Sequence, residues 1–185
     1  PKRLKLSEGD VFSFAAGENG FGVGQILEFA LISERVFKGV FLASILEPLF
    51  KTQVTLDEVD TAAILLTGWT MDGRLYHGMW SVFGNLPVPS PQIPKPCSKV
   101  SIKGAVWVCD YRGTPVRRAT ASEAESLNYH SSSSPLIFED AFLAHHSLAE
   151  PKEHHRKLTL PTGGRKSALQ PLIETDMTKL QSTYP

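Results

Sequence analysis

The first half of the chain alternates short apolar runs with polar turns, a pattern typical of antiparallel strands. Residues 10–15 and 21–27 are two such runs, and the Asn19-Gly20 step between them permits positive φ. This arrangement predicts a hairpin. Residues 35–42 are rich in β-branched and aromatic side chains and predict a third strand.

A second Asp-Gly step predicts a second hairpin. Residues 63–69 and 75–82 are apolar runs on either side of Met71-Asp72-Gly73-Arg74, and the acidic residues 57–60 precede them as a connection. Beyond this hairpin, prolines stand at positions 87, 89, 91, 94 and 96. Proline removes backbone donors, so we expect the segment to cross the surface in an extended form before a strand at 105–111.

Two helices are predicted in the second half of the chain. Thr120 and Glu123 have the spacing of a capping box, which predicts a short helix ending near Asn128. Pro135 at a first helical position, followed by apolar residues at intervals near 3.6, predicts an amphipathic helix over 135–148.

The elements together predict an α+β, β-dominated fold, with a twisted antiparallel sheet or small barrel and two peripheral helices. We expect residues 1–150 to form one β-rich domain, and residues 151–185 to be a basic tail packed on it.

Charged residues are distributed unevenly along the chain. Of 19 basic and 19 acidic residues in the whole chain, residues 151–185 hold six Lys/Arg and three Asp/Glu. A basic tail therefore follows a mildly acidic body, which is not the composition of a uniformly basic nucleic-acid binder.

The sequence also bears on location. No apolar run approaches the roughly 18–20 residues of a membrane helix, and the basic start of the chain is not followed by the apolar stretch of a secretory signal. Cys97 and Cys109 are too few for a disulfide framework, so we expect reduced thiols and a cytoplasmic protein.

Motifs for enzyme chemistry are incomplete. Gly20, Gly22 and Gly24 lack the following glycine and helix of a dinucleotide site. Residues 163–167 resemble the end of a P-loop, but positions 160 and 165 hold leucine and arginine where that motif requires glycine. No Gly-x-Ser-x-Gly turn is present. We expect no catalytic residue, no cofactor and no enzyme activity.

Histidines are the remaining candidates for metal ligands. His145, His146, His154 and His155 form two adjacent pairs, whose members point to different faces, and the spacing H-E-x-x-H is absent. A solvated face explains them better, so we expect no metal site.

Three short motifs carry a resemblance to a known family. They are Gly9-Asp10-Val11-Phe12, Phe21-Gly22-Val23-Gly24-Gln25-Ile26 and Trp80-Ser81-Val82-Phe83-Gly84-Asn85-Leu86-Pro87. With these motifs, residues 6–130 resemble the immunity protein 26 family of bacterial polymorphic-toxin systems. The resemblance implies a cytoplasmic antitoxin that binds and neutralises a cognate toxin domain encoded by a neighbouring gene, with no nucleic-acid or membrane partner.

Acidic residues are the candidate contacts for such a toxin. If the toxin acts on nucleic acid, its cleft is basic, and carboxylates of the antitoxin would compete with phosphate. On this hypothesis the partner-binding residues are Asp57, Glu58, Asp60, Asp72 and the nearby Tyr76. The alternative for each is an ordinary solvated position. Gly9, Asp10, Gly22, Trp80 and Gly84 are instead expected to be structural.

Two other functions remain open. Small β-barrel endoribonuclease toxins of the MazF/PemK type also begin with a Gly-Asp-strand element, and Arg35 or Arg74 with Thr67 or Thr70 would then contact phosphate. A protein-interaction adaptor without a toxin partner would share the same composition.

Overall fold

A computed structural model of the chain describes residues 5–32, 35–52, 54–88 and 98–158. These residues fall into two compact units. The first takes its residues from Pro1–Pro96 and Ser131–Leu160, and the second from Cys97–His130. Several parts of the chain lie outside the described residues: most of the proline-containing segment at 87–96, Cys97, residues 163–167 and most of the predicted basic tail.

The described residues of the first unit form five strands and three helices. Their bounds are β1 (Asp10–Ala15), β2 (Phe21–Ile32), β3 (Arg35–Leu46), α1 (Leu56–Thr61), β4 (Ile64–Met71), α2 (Gly73–Tyr76), β5 (Trp80–Asn85) and α4 (Pro135–His145). Short 3-10 turns occupy Gly17–Asn19 and Glu153–Lys157.

The strands form one antiparallel sheet in the order β4-β3-β2-β1-β5. The α+β, strand-rich class predicted from the sequence is thereby confirmed. The first hairpin is confirmed as well, because β1 and β2 pair from Val11↔Gln25 to Ala15↔Phe21 across the turn at Gly17–Asn19.

The second predicted hairpin is wrong. β4 and β5 lie at opposite edges of the sheet, and residues 73–76 form the helical turn α2 between them. The Tyr76 N–H donates to the Asp72 carbonyl at 2.8 Å, while Leu75 is buried. Burial of Leu75 therefore favours a helical turn where the Asp-Gly step alone favours a two-residue hairpin loop.

An aromatic core fills one face of the sheet. The Trp80 side chain is only 1% exposed, and its ring stacks on Phe12 with centroids 4.5 Å apart and planes within 8°. Phe14 contacts Phe142 of α4 edge to face at 5.3 Å. α4 thus covers this face, and Trp80 is structural, as expected.

Glycines on β2 make room for these rings. A Cβ placed on Gly22 would lie 2.2 Å from the Phe14 ring, and one on Gly24 would lie 2.5 Å from the Phe12 ring. No side chain fits at such distances. Gly22 therefore has the structural role expected from the sequence.

The opposite face carries a smaller apolar cluster around Val11, Val23 and Val59. Val59 belongs to α1, a helix that lies where the sequence predicted a plain acidic connection. The helix starts at a capping box formed by Thr55 and Glu58. The sequence contained this signal, since the same spacing correctly predicted the helix that begins after Thr120.

The second unit contains a three-stranded antiparallel sheet in the order β6-β7-β8. Its elements are β6 (Ser98–Ile102), β7 (Ala105–Cys109), β8 (Pro115–Arg118) and α3 (Ala121–Ser126). The predicted capping box of α3 is confirmed, with Thr120 as the N-cap and Glu123 at N3. β6 and β8 were not predicted, because each is short and β8 contains a proline and two arginines.

No helix among the described residues is long and apolar enough to cross a membrane.

The close approach at Gly24 leads to a stability prediction. Gly24→Ala should lower the free energy of unfolding by about 1–3 kcal/mol, because the new methyl group would overlap the Phe12 ring and the Ser44 carbonyl. Urea denaturation followed by circular dichroism measures the change. Gly73→Ala is the control, since its Cβ would meet no atom within 4 Å. Equal losses in the two variants would contradict the packing argument.

The second unit should lose stability in acid. Two hydrogen bonds from the Arg117 guanidinium, at 2.6 and 2.7 Å, lower the pKa of Glu123 from its ordinary 4.5 to about 2, and a bond from the Thr120 N–H contributes. A carboxyl with a lowered folded-state pKa stabilises the fold above its unfolded pKa, and this contribution is lost as pH falls from 4.5 towards 2.

We therefore expect Glu123→Gln to be less stable than the native chain at pH 6, and the difference to shrink between pH 4.5 and pH 2. Urea unfolding at a series of pH values tests this expectation. Glu125→Gln, which removes an exposed carboxylate from the same helix, should leave the pH profile unchanged. A stability difference that persists at pH 2 would refute the assignment.

Candidate functional site

The predicted partner-binding residues fall into two groups. Asp57, Glu58 and Asp60 lie on α1, which precedes β4, whereas Asp72 and Tyr76 lie at α2, which follows it. At about 3.3 Å per residue, the length of β4 separates the two groups by roughly 20 Å. They do not form one patch, and each group is described separately.

Glu58 is engaged in starting α1. Its carboxylate accepts hydrogen bonds from the Thr55 N–H and the Thr55 hydroxyl, both at 2.8 Å. The backbone bond, followed by the hydroxyl bond, lowers the pKa of Glu58. Of the three acidic residues on α1, Asp57 and Asp60 remain for a partner; both are exposed, and they lie three positions apart on the helix.

Asp72 and Tyr76 belong to a surface with an apolar character. The exposed large side chains around α2 are Phe37, Met71, Tyr76 and Met79. Together with Asp72, we call these residues the α2 surface.

Backbone contacts join this surface. The Asp72 N–H donates to the Gly39 carbonyl at 3.1 Å, and Met71 pairs with Val40 on β3. The Phe37 ring lies against Gly39, close enough that a Cβ there would be 3.0 Å from it. Phe37 and Asp72 are therefore neighbours through Gly39, although 35 positions separate them in the sequence.

The β2–β3 hairpin extends beyond its neighbouring strands next to this surface. β1 pairs with β2 no further than Gln25, and β4 pairs with β3 only from Val40 onwards. The projecting part carries Leu31 and Val36, which are exposed and lie opposite each other. A two-stranded ribbon with apolar side chains in water gains little stability by itself, so its apolar residues suit contact with another molecule.

A partly buried polar network holds α2 in place. Glu139 of α4 accepts a hydrogen bond from the Trp80 indole N–H at 2.6 Å and one from the Arg74 guanidinium at 2.7 Å. Arg74 also contacts the Met79 sulfur. Because Trp80 is fixed in the aromatic core, Glu139 links α2 rigidly to the core, and the α2 surface is preformed.

The residues considered for phosphate contact are not available together. Thr67 and Thr70 are buried, and the Thr70 hydroxyl donates to the Ser133 carbonyl at 2.9 Å. Arg74 is paired with Glu139, while Arg35 lies at the far end of the projecting hairpin. This arrangement offers no group of exposed cations next to a hydroxyl.

The histidine pairs are spread over separate environments. His146 Nε2 lies 2.8 Å from the Glu47 carbonyl oxygen, and the His145 and His146 ring planes differ by 88°. Burial lowers the pKa of His155. In the described part of the chain, no three His, Cys, Asp or Glu side chains are grouped as metal ligands would be.

A Ser-Cys-His contact in the second unit is the remaining cluster with reactive side chains. Ser98 Oγ lies 3.1 Å from Cys109 Sγ and 3.2 Å from His130 Nδ1. Burial raises the pKa of the Cys109 thiol and lowers the pKa of His130. Both shifts favour neutral groups, so this contact is a buried hydrogen-bond chain rather than an activated nucleophile.

Comparison with protein-family models, curated proteins and solved structures finds no match.

The Glu139 network gives a prediction about stability. Glu139→Ala should lower the free energy of unfolding by about 2–4 kcal/mol, because the Trp80 N–H and the Arg74 guanidinium both lose their acceptor in a half-buried site. Chemical denaturation monitored by tryptophan fluorescence measures the loss. The neighbouring Asp140→Ala removes an exposed ion pair with Lys152 and should cost less than about 1 kcal/mol. Similar costs for the two variants would show that the network does not hold α2.

Proposed function

We propose that this chain is an immunity protein, an antitoxin that binds and neutralises a cognate bacterial toxin encoded by a neighbouring gene. The observation that carries the proposal is the α2 surface, where exposed aromatic and methionine side chains surround a helix that is hydrogen-bonded to the core through Glu139. Interfaces between proteins are enriched in such residues, and a preformed surface loses little entropy on binding.

The two groups of predicted contacts would then have different tasks. The α2 surface would supply affinity, with Tyr76 and Phe37 as apolar anchors and Asp72 at their side. Asp57 and Asp60 on α1 would attract a basic toxin during encounter, which affects the association rate more than the affinity. The resemblance of residues 6–130 to the immunity protein 26 family supports the same proposal.

The endoribonuclease alternative has less support. It needs Arg35 or Arg74 near Thr67 or Thr70, but both threonines are buried and Arg74 is paired with Glu139. An adaptor that binds a protein other than a toxin would use the same α2 surface, and only the identity of the partner separates it from an antitoxin.

Co-expression with the product of the neighbouring gene tests the proposal. We expect the pair to purify as a complex and this chain to restore growth of cells that produce the toxin. Growth arrest or RNA cleavage by this chain alone would favour the endoribonuclease. A stable complex with another protein, without any growth rescue, would favour the adaptor.

Calorimetry of the purified pair tests the assigned surface. Tyr76→Ala should weaken toxin binding by about 30-fold or more, which is the loss expected at an interface hot spot. Tyr129→Ala is a matched control, because Tyr76 is 50% exposed and Tyr129 is 59% exposed in the second unit. Equal affinities of the two variants would remove Tyr76 from the interface.

The acidic group is tested by charge reversal. Asp57→Lys with Asp60→Lys should slow association and reduce its dependence on salt, while Glu58 is left in place to cap α1. Glu125→Lys is the control at an exposed position of the second unit. An unchanged association rate would show that α1 does not face the toxin.

A further inference from the structure

The two edges of the five-stranded sheet differ in their protection. On the β4 side, the Ser133 N–H donates to the Trp69 carbonyl at 2.8 Å, and the Thr70 hydroxyl donates to the Ser133 carbonyl. The segment around Ser133 therefore covers that edge. On the other side, β1 is the only described strand that pairs with β5, so the outer edge of β5 has no backbone partner among the described residues.

The β5 edge lacks two of the usual devices that prevent pairing, namely charged residues and proline. Edge strands commonly carry lysine or proline, which make them poor templates for another strand. β5 contains neither, and no Asp, Glu, Lys or Arg occurs between Arg74 and Lys95. In a chain with 21% charged residues, such a long uncharged stretch marks this edge as different from the rest of the surface.

Apolar side chains accompany the unpaired backbone. Val82 and Phe83 on β5 are each 38% exposed, and Met79, which precedes the strand, is also exposed. A bulge at Phe83 interrupts the register with β1, since Val11 and Phe12 face Gly84 and Val82. The regular part of the edge is therefore Trp80–Val82, where an incoming strand would form its hydrogen bonds.

We propose that the β5 edges of two copies of this chain pair antiparallel and form a two-fold symmetric dimer. A second copy fits because identical edges meet in a two-fold interface, and an uncharged edge meets its own copy without like-charge repulsion. Pairing would join the two sheets into one and bury Val82 of both copies. The dimer does not depend on the proposed toxin, and its test requires this protein alone.

Sedimentation equilibrium of the full chain is the experiment. We expect a species of twice the 20.3 kDa chain mass at high concentration, which dissociates on dilution. Val82→Lys should raise the dissociation constant by at least about tenfold, because it places one lysine of each copy on the same face of the joined sheet, close to the axis. Ser81→Lys, at an exposed position on the other face of the strand, should act in the same direction.

Ile102→Lys is the matched control. Ile102 is also 38% exposed and also lies on an edge strand, but in the three-stranded sheet, so this variant should keep the native dimer. Circular dichroism establishes that each variant is folded. A single-chain mass at every concentration up to about 1 mM, the weakest affinity of interest, would overturn the proposal. Dimers that survive both β5 substitutions would overturn it as well.

Discussion

The close contact between aromatic rings on β1 and the glycine backbone of β2 is the constraint on which the first unit depends. Phe12 and Phe14 lie over Gly24 and Gly22, where any side chain would overlap them. Because the rings lie low on the sheet, Trp80 stacks on Phe12 from the edge strand, and Phe142 reaches Phe14 from α4. The sheet, its edge strand and its covering helix therefore share one aromatic core.

The candidate site is rigid because hydrogen bonds connect it to that core. Trp80 is fixed by stacking, and its indole N–H directs the Glu139 carboxylate, which in turn holds Arg74 of α2. A helix of only four residues would otherwise be marginal in water. Two successive hydrogen bonds therefore hold Tyr76 and Asp72 in place relative to the buried rings, and the surface that a partner would contact is formed before binding.

The elements that were predicted correctly from the sequence are those that local patterns determine. Strand alternation, the Asn19-Gly20 turn and the capping box at Thr120 all gave correct elements, because each acts within a few residues. The Asp72-Gly73 step misled, since burial of Leu75 in the completed fold favours a helical turn. Phe37 was missed as part of the site because only the β3–β4 pairing brings it to Asp72. The separation of the acidic residues into one group on α1 and another at α2 likewise depends on where β4 begins and ends.

The chain order of the two units affects how the protein is made. The first unit has its sheet within residues 10–85, but the helix that covers the aromatic face begins only at Pro135, after the second unit has been synthesised. At about 5–20 residues per second, a ribosome needs several seconds to cross this interval. During that time no helix covers Phe14 and its neighbours. The nascent chain therefore exposes to the chaperones of the cell an apolar face that is buried in the finished protein.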